Sequence, residues 1–263
     1  MARVVVVTSG KGGVGKTTLV ANLGAALARA GERVVMMDTD IGLNNLDVVL
    51  GAENKVVYDI VDVVENKCRP RQALIDTEVP GLALMPAAHP YDAGKITGQN
   101  LKYVVNVLSE SFTFVLLDCP AGIEAGFHRA VQAAGEALVV VTPHISSLRD
   151  AGKVLGILQS YETGAAGLVV NRARGDLMVN KEMLSVADIR DLLDRDVLGV
   201  IPDADEVVTA ASAGHLVAAN TPAAHAYDLL AKNLREKTNK IYDCTAKYRG
   251  LAGAFRRSLR KRV

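Results

Sequence analysis

Tryptophan is absent from this chain, and aromatic residues make up only 4% of it. Its core must therefore be aliphatic, built from Val, Leu, Ile and Ala. Cysteine is scarce too: Cys68, Cys119 and Cys244 are far apart in sequence and form no CxxC pair. That rules against a disulfide framework, and against a metal or iron–sulfur centre built within one chain. No apolar run approaches the roughly 20 residues of a membrane-spanning helix. Met1-Ala2-Arg3 leads straight into Val4-Val5-Val6-Val7 without a signal-peptide pattern, so a cytoplasmic protein is expected. Internal repeats, low-complexity tracts and linkers are missing until the last twenty residues.

What is present is an ordinary globular composition, with 49% apolar and 22% charged residues over 263 positions. That length suffices for one large α/β domain with a well-buried core. Short β-rich apolar runs (3–8, 33–38, 82–85, 113–118, 137–141, 167–170 and 198–201) alternate with helical patterns. The helical patterns cover 17–30, 100–109, 125–134, 146–161, 181–193 and 223–240. Val4–Val7, Phe114–Leu117 and Leu138–Val141 are apolar throughout, as parallel strands covered on both faces are. The rhythm predicts one doubly wound, mostly parallel sheet flanked by helices on both faces.

The first strand is followed by Ser9-Gly10-Lys11-Gly12-Gly13-Val14-Gly15-Lys16-Thr17-Thr18, which then opens the first helix. This satisfies G-x-x-x-x-G-K-[ST] in the strand–loop–helix setting that gives the motif meaning. Gly10, Gly12, Gly13 and Gly15 let the backbone turn inward, so that amides from Gly10 to Thr18, Val14 included, face phosphate oxygens. Lys16 is expected to reach the β- and γ-phosphates, and the Thr17 hydroxyl to ligate Mg²⁺. Residues 1–245 then form a P-loop ATPase domain with ATP and Mg²⁺ as cofactors.

Acidic residues end two of the strands. Asp38-Thr39-Asp40 closes the second, and Phe114-Val115-Leu116-Leu117-Asp118 reads as a Walker B strand. At the carboxyl edge of an α/β sheet such groups suit a cation and its waters. Asp118 is read as orienting Mg²⁺ waters, Asp38 as supporting that shell, and Asp40 as positioning the attacking water. The alternative for each is a turn cap, a common use of Asp at a strand end.

The second lysine in K-G-G-x-G-K-T-T makes the chain resemble the deviant Walker A ATPases of the ParA–MinD family. Asp38-Thr39-Asp40-Ile41-Gly42-Leu43-Asn44-Asn45-Leu46-Asp47 and Asp118-Cys119-Pro120-Ala121-Gly122-Ile123-Glu124 are similar to the switch I and switch II segments of the septum-site branch. Two positions depart from its usual pattern, Asn44 for Arg and Cys119 for Ser. The resemblance implies that Lys11 crosses an ATP-dependent homodimer and acts in the partner's site like an arginine finger. It also implies that Asn171, Pro202 and Asp203 hold the adenine. A MinC-like division inhibitor and a MinE-like activator are implied as partners.

Residues 246–263 form a basic tail. Residues 247–263 carry seven Lys and Arg and no acid, while the rest of the chain has 23 basic against 29 acidic side chains. Leu251, Phe255, Leu259 and Val263 recur every four positions, an apolar stripe with Arg256, Arg257, Arg260 and Lys261 mostly opposite it. That pattern fits a helix lying on an anionic membrane surface, peripheral on the inner face of the cell membrane. A disordered basic tail or a nucleic-acid arm is the alternative, although phosphate binding alone needs no apolar stripe. A ParA-type partitioning ATPase on nonspecific DNA and a flagellar-placement ATPase stand as alternative functions. A dethiobiotin-synthetase-like enzyme and a reductase like the nitrogenase iron protein are weaker alternatives. The latter needs a cluster-ligating cysteine pair, for which Cys119 has no second member.

Overall fold

The computed structural model describes residues 2–41, 44–87, 95–161, 163–164 and 167–260. In chain order the elements are β1 (Arg3–Thr8), α1 (Lys16–Arg29), β2 (Val34–Asp38), α2 (Leu46–Val49) and α3 (Ile60–Val64). Then come β3 (Ile75–Asp76), β4 (Leu82–Met85), α4 (Gly98–Leu108), β5 (Phe114–Asp118), α5 (Ala125–Ala133) and β6 (Glu136–Val141). The chain continues with α6 (Ile145–Leu158), β7 (Gly167–Ala173), α7 (Gly175–Val179), α8 (Val186–Leu193), β8 (Val197–Pro202) and α9 (Asp205–Ser212). It closes with α10 (Pro222–Glu236), a 3-10 turn at Ala246–Tyr248 and α11 (Gly250–Arg260).

The strands form one sheet in the order β3-β4-β2-β5-β1-β6-β7-β8. All pairings are parallel except that of β3 with β4. The unbroken apolar runs now have their cause, because alternate residues of one strand enter opposite cores. Val5 and Val7 pack toward α1 and α10 with Leu19, Leu23, Tyr227 and Leu230. Val6, between them, packs toward α4, α5 and α6 with Leu101, Phe127 and Leu148. Both faces are covered, so neither register of the pleat can be polar.

β1 lies centrally. The chain leaves it through α1 for β2 on one side and returns through β5 before crossing to β6, β7 and β8 on the other. The loop after β1 therefore stands where the winding reverses, the crevice in which open α/β sheets bind ligands. Register completes the arrangement: Val7 and Asp38 both lie opposite Asp118. Three strand ends thus finish at one level.

Two helical readings change in detail. The pattern at 181–193 shortens to α8, which Ser185 opens by accepting from the Asp188 amide at 3.1 Å, and the separate α7 lies ahead of it, before Lys181 with its left-handed φ of 61°. The last long helix starts one residue early, at Pro222, where Thr221 caps the Ala224 amide at 3.1 Å. It ends at Glu236, before the left-handed Lys237. α2, α3, β3 and α9 are too short for periodicity to show them.

Candidate nucleotide site

The loop from Gly10 to Gly15 is pinned at its two ends, where contacts leave no space for a side chain at Gly10 or Gly15. A Cβ at Gly10 would lie 2.4 Å from the backbone of Asp150 in α6. Gly15, at φ +91°, would push a Cβ to 2.5 Å from the amide nitrogen of Asn171, and its left-handed backbone favours glycine in any case. Ser9 donates its hydroxyl to the Lys11 carbonyl at 2.8 Å. The amide of Gly122 in the second switch segment donates to the Ser9 carbonyl at 3.3 Å. α1 opens at Lys16, so its unpaired amides and positive end face the loop. Val14 and Lys16 are buried, Thr17 and Thr18 half-buried, and Lys11, Gly12 and Gly13 exposed.

Asp118 is buried at the head of the site, hydrogen-bonded to Thr17. Burial first, and then the neighbouring Asp38 charge, push its carboxyl up to about 8. Among the described residues its Oδ1 is one of few buried side-chain oxygens without a partner. A desolvated carboxylate oxygen beside a threonine hydroxyl, under a loop of inward amides, suits a hard divalent cation. Among the described residues no three His, Cys, Asp or Glu side chains cluster to hold a metal alone.

Asp38 is employed differently. Its Oδ1 accepts from the Asp40 amide at 2.9 Å. Its Oδ2 accepts from the amides of Asn45 at 3.0 Å and Leu46 at 3.1 Å. Burial raises its carboxyl and these three amides oppose the rise. Asp38 therefore holds the first switch segment in shape. Asp40 is half-buried; its carboxyl is raised by burial, and the Lys16 ammonium opposes the rise. Thr39 donates its hydroxyl to the Asp118 carbonyl at 2.6 Å, tying the two acidic strand ends together.

Asn171, Pro202 and Asp203 stand at the ends of β7 and β8. Asn171 is joined to the loop, its Nδ2 donating to the Val14 carbonyl at 2.7 Å. Ala173 pairs with Pro202, and the Asp203 amide donates to the Ala173 carbonyl at 3.1 Å. Loop, strand-end carboxylates and β7–β8 ends thus share one edge of the sheet. A cleft of about 770 Å³ between α6 and α8, lined by Leu155, Arg190 and Leu198, lies at the opposite ends of β7 and β8 and has no part in this edge.

Sequence reading overlooked Ser9, Thr39 and Asn22. The first two adjoin residues it selected, so adjacency was the available signal. Buried Asn22 donates to the Thr18 carbonyl at 2.9 Å and accepts from the Val217 amide at 2.9 Å. A partner 195 positions away leaves no local trace. Asn44 donates to the Ala87 carbonyl at 3.3 Å, while Gly42 and Leu43 lie outside the described residues. Cys119 is buried, and desolvation pushes its thiol up to about 12.

On the tail, α11 spans Gly250–Arg260. Phe255 is 68% exposed and Arg256 is exposed. Arg257 donates to the Tyr248 carbonyl. Lys261 and Val263, and the side chains of Leu251, Leu259 and Arg260, lie outside the described residues. Among the described residues no helix is long and apolar enough to cross a membrane.

A glycine-lined loop between β1 and α1, a buried lysine in it and carboxylates at parallel strand ends define a nucleotide-binding P-loop ATPase. Residues 5–217 match the family described as CobQ/CobB/MinD/ParA nucleotide binding domain. The septum site-determining protein MinD of Synechocystis sp. is 41% identical over 263 residues, covering 98% of this chain and 99% of that one. The solved MinC:MinD cell division protein complex of Aquifex aeolicus superposes with a TM-score of 0.83 at 40% identity, over 90% of this chain and 97% of that one. MinD of Pyrococcus horikoshii, solved with Mg-ADP, gives 0.82 at 29% identity, over 90% and 97%. The chain belongs to the CobQ/CobB/MinD/ParA family and, within it, to the MinD septum site-determining ATPases. Its work is therefore in cell division rather than in DNA partitioning.

Proposed function

We propose that this chain binds Mg·ATP on the loop from Gly10 to Thr18, pairs with a second copy in that state, and attaches to anionic membrane through residues 246–263. The observation that carries the reading is the orphaned Oδ1 of Asp118 beside Thr17, buried beneath the loop amides and next to Lys16. Bound Mg²⁺ supplies charge neutralisation of the phosphates. Thr17 and Asp118 hold that ion directly or through water, with Asp38 shaping the segment above. Lys16 binds the terminal phosphates, and Asp40 orients the attacking water. Lys11, exposed at the lip of the loop, is free to reach into a partner's site and place positive charge where the transition state develops negative charge. Asn171, Pro202 and Asp203 receive the adenine.

The surface formed by pairing recruits a MinC-like inhibitor, as supported by the Aquifex complex, and a MinE-like activator returns the protein to the unattached ADP form. Exposed Phe255, followed by Arg256 and Arg257, supports the lipid reading. The test is cosedimentation with anionic liposomes, comparing the full chain with one ending at Lys247. The full chain is expected to pellet with ATP and to stay in solution with ADP, and the shortened chain to stay in solution with both. Equal pelleting of the two chains with ATP would remove the tail from the account.

A further inference from the structure

The tail helix and the base end of the nucleotide site stand on the same few residues. Arg174 follows β7 immediately and grips Asp176 with two hydrogen bonds, Nε to Oδ1 at 3.0 Å and Nη2 to Oδ2 at 2.7 Å. Asp176 is buried while the Arg174 side chain is 34% exposed, so this is a two-pronged pair with one partner desolvated. One further charge acts on Arg174, that of Asp203 at the base end. On the base side, the Asp203 amide donates to the carbonyl of Ala173, the residue before Arg174.

On the tail side, the chain at Cys244 crosses directly over Gly175, where a Cβ would lie 1.9 Å from the Cys244 carbonyl oxygen. Four residues on, Tyr248 is buried. α11 then rests on Tyr248. A Cβ at Gly253 would lie 2.2 Å from the Tyr248 backbone, and Arg257 bonds the Tyr248 carbonyl. The path from Asp203 through residues 173–176 to Tyr248 and α11 is continuous, and every link is a hydrogen bond, an electrostatic contact or a packed backbone.

We propose that Arg174 is a positioning residue that couples occupancy of the base end to the seat of the tail helix. A base held against Pro202 and Asp203 restrains the end of β7, which steadies Arg174 and Asp176 and with them the platform under Tyr248. The tail then responds to nucleotide within a single copy of the chain, before any pairing. This rests on the reading that adenine sits at Asn171, Pro202 and Asp203.

The absence of tryptophan offers a clean reporter. The full chain carrying Phe255→Trp, free of lipid, is titrated with Mg·ADP while the steady-state anisotropy of the indole is read, since the side chain at 255 is exposed even when the helix is seated. ADP occupies the base end and lacks the γ-phosphate required for pairing. Binding of fluorescently labelled ADP is measured on the same samples. Anisotropy is expected to rise with ADP as the helix is held, and adding Arg174→Gln should abolish that response while ADP affinity stays within about twofold. Arg174→Lys, which keeps the charge, should restore part of it. Should Arg174→Gln fail to fold, Tyr248→Ala serves instead, with a low anisotropy expected that is indifferent to ADP. If ADP binds and the reporter ignores it, or Arg174→Gln and Tyr248→Ala respond like the parent chain, the coupling is wrong. If ADP does not bind the parent chain, the nucleotide-site reading itself fails, independently of Arg174.

Discussion

Asp118 and Asp38 differ in a way their positions alone do not reveal. Both end parallel strands side by side, yet Asp38 has three backbone amides on its carboxylate and Asp118 has an oxygen with none. The consequence is a pH dependence. With its carboxyl raised from an ordinary 3.8 to about 8, folded nucleotide-free protein holds a proton that the unfolded chain releases near pH 4. Stability from this group is present at low pH and is lost as pH rises through that window, because the native state binds more protons than the unfolded one. Asp118→Asn should therefore raise the thermal midpoint of the nucleotide-free protein at pH 8 and change it little at pH 4. An equal effect at both pH values would contradict the assignment.

At Asp40 the expectation is kinetic. Asp40→Ala should keep ATP affinity and lower turnover by about 100-fold or more, the usual worth of a group that handles a proton or orients water. Unchanged hydrolysis would remove Asp40 from the mechanism. The loop and the strand-end acids were legible because one short, contiguous motif specifies each. Ser9 and Thr39 were not, since a hydroxyl bonded to a nearby carbonyl looks like any other turn residue. The tie from Asn171 to Val14 joins positions 157 apart and needed the fold itself.

Among the elements, continuous strands and long helices announced themselves through apolar spacing, whereas α2 and α9 did not. α2 owes its start to Asp38, whose Oδ2 accepts from its first amide, rather than to its own four residues. α7, five residues at Gly175–Val179, was too short to show, and α8 starts later than the apolar pattern because Ser185 caps it. α10 illustrates how the core is held. Leu230 is fully buried, and Gly199 of β8 leaves space for it, since a Cβ there would meet its side chain at 2.9 Å. Leu230→Ala should cost about 2–5 kcal/mol in denaturant unfolding, from lost transfer energy plus the cavity left behind. A change below about 1 kcal/mol would mean that the sheet and helix collapse to close the gap.

For α11 the balance is close. Each basic side chain near an anionic surface contributes up to about 1 kcal/mol, and each fully buried large apolar side chain roughly 1.5–3 kcal/mol, less at an interface. Ordering a dozen residues costs on the order of 1–2 kcal/mol each, and Gly250 and Gly253 weaken the helix further. One tail is marginal and two tethered tails are not, because the second binds at high effective concentration. Phe255→Glu should thus abolish ATP-dependent pelleting with liposomes while leaving ATP turnover without lipid unchanged; retained pelleting would shift the affinity to the basic residues.

For the whole molecule, these parts combine into a single switch. A centrally placed loop receives nucleotide, exposed Lys11 is offered to a second copy, and a basic tail stands at the same edge of the sheet. Fold class and nucleotide chemistry were readable from the sequence because a doubly wound sheet has few alternatives once its apolar strands and first loop are known. What joins the parts was not readable, since contacts such as Asn22 with Val217, or Cys244 over Gly175, join positions far apart in the chain. The most direct test of the switch is the solution mass by light scattering of the full chain with saturating Mg·ATP and with Mg·ADP, beside Lys11→Ala. The expected mass is 27.9 kDa with ADP and twice that with ATP, with Lys11→Ala staying at 27.9 kDa in both. A native chain that remains single with ATP, or a Lys11→Ala chain that pairs as the native one does, would contradict the account.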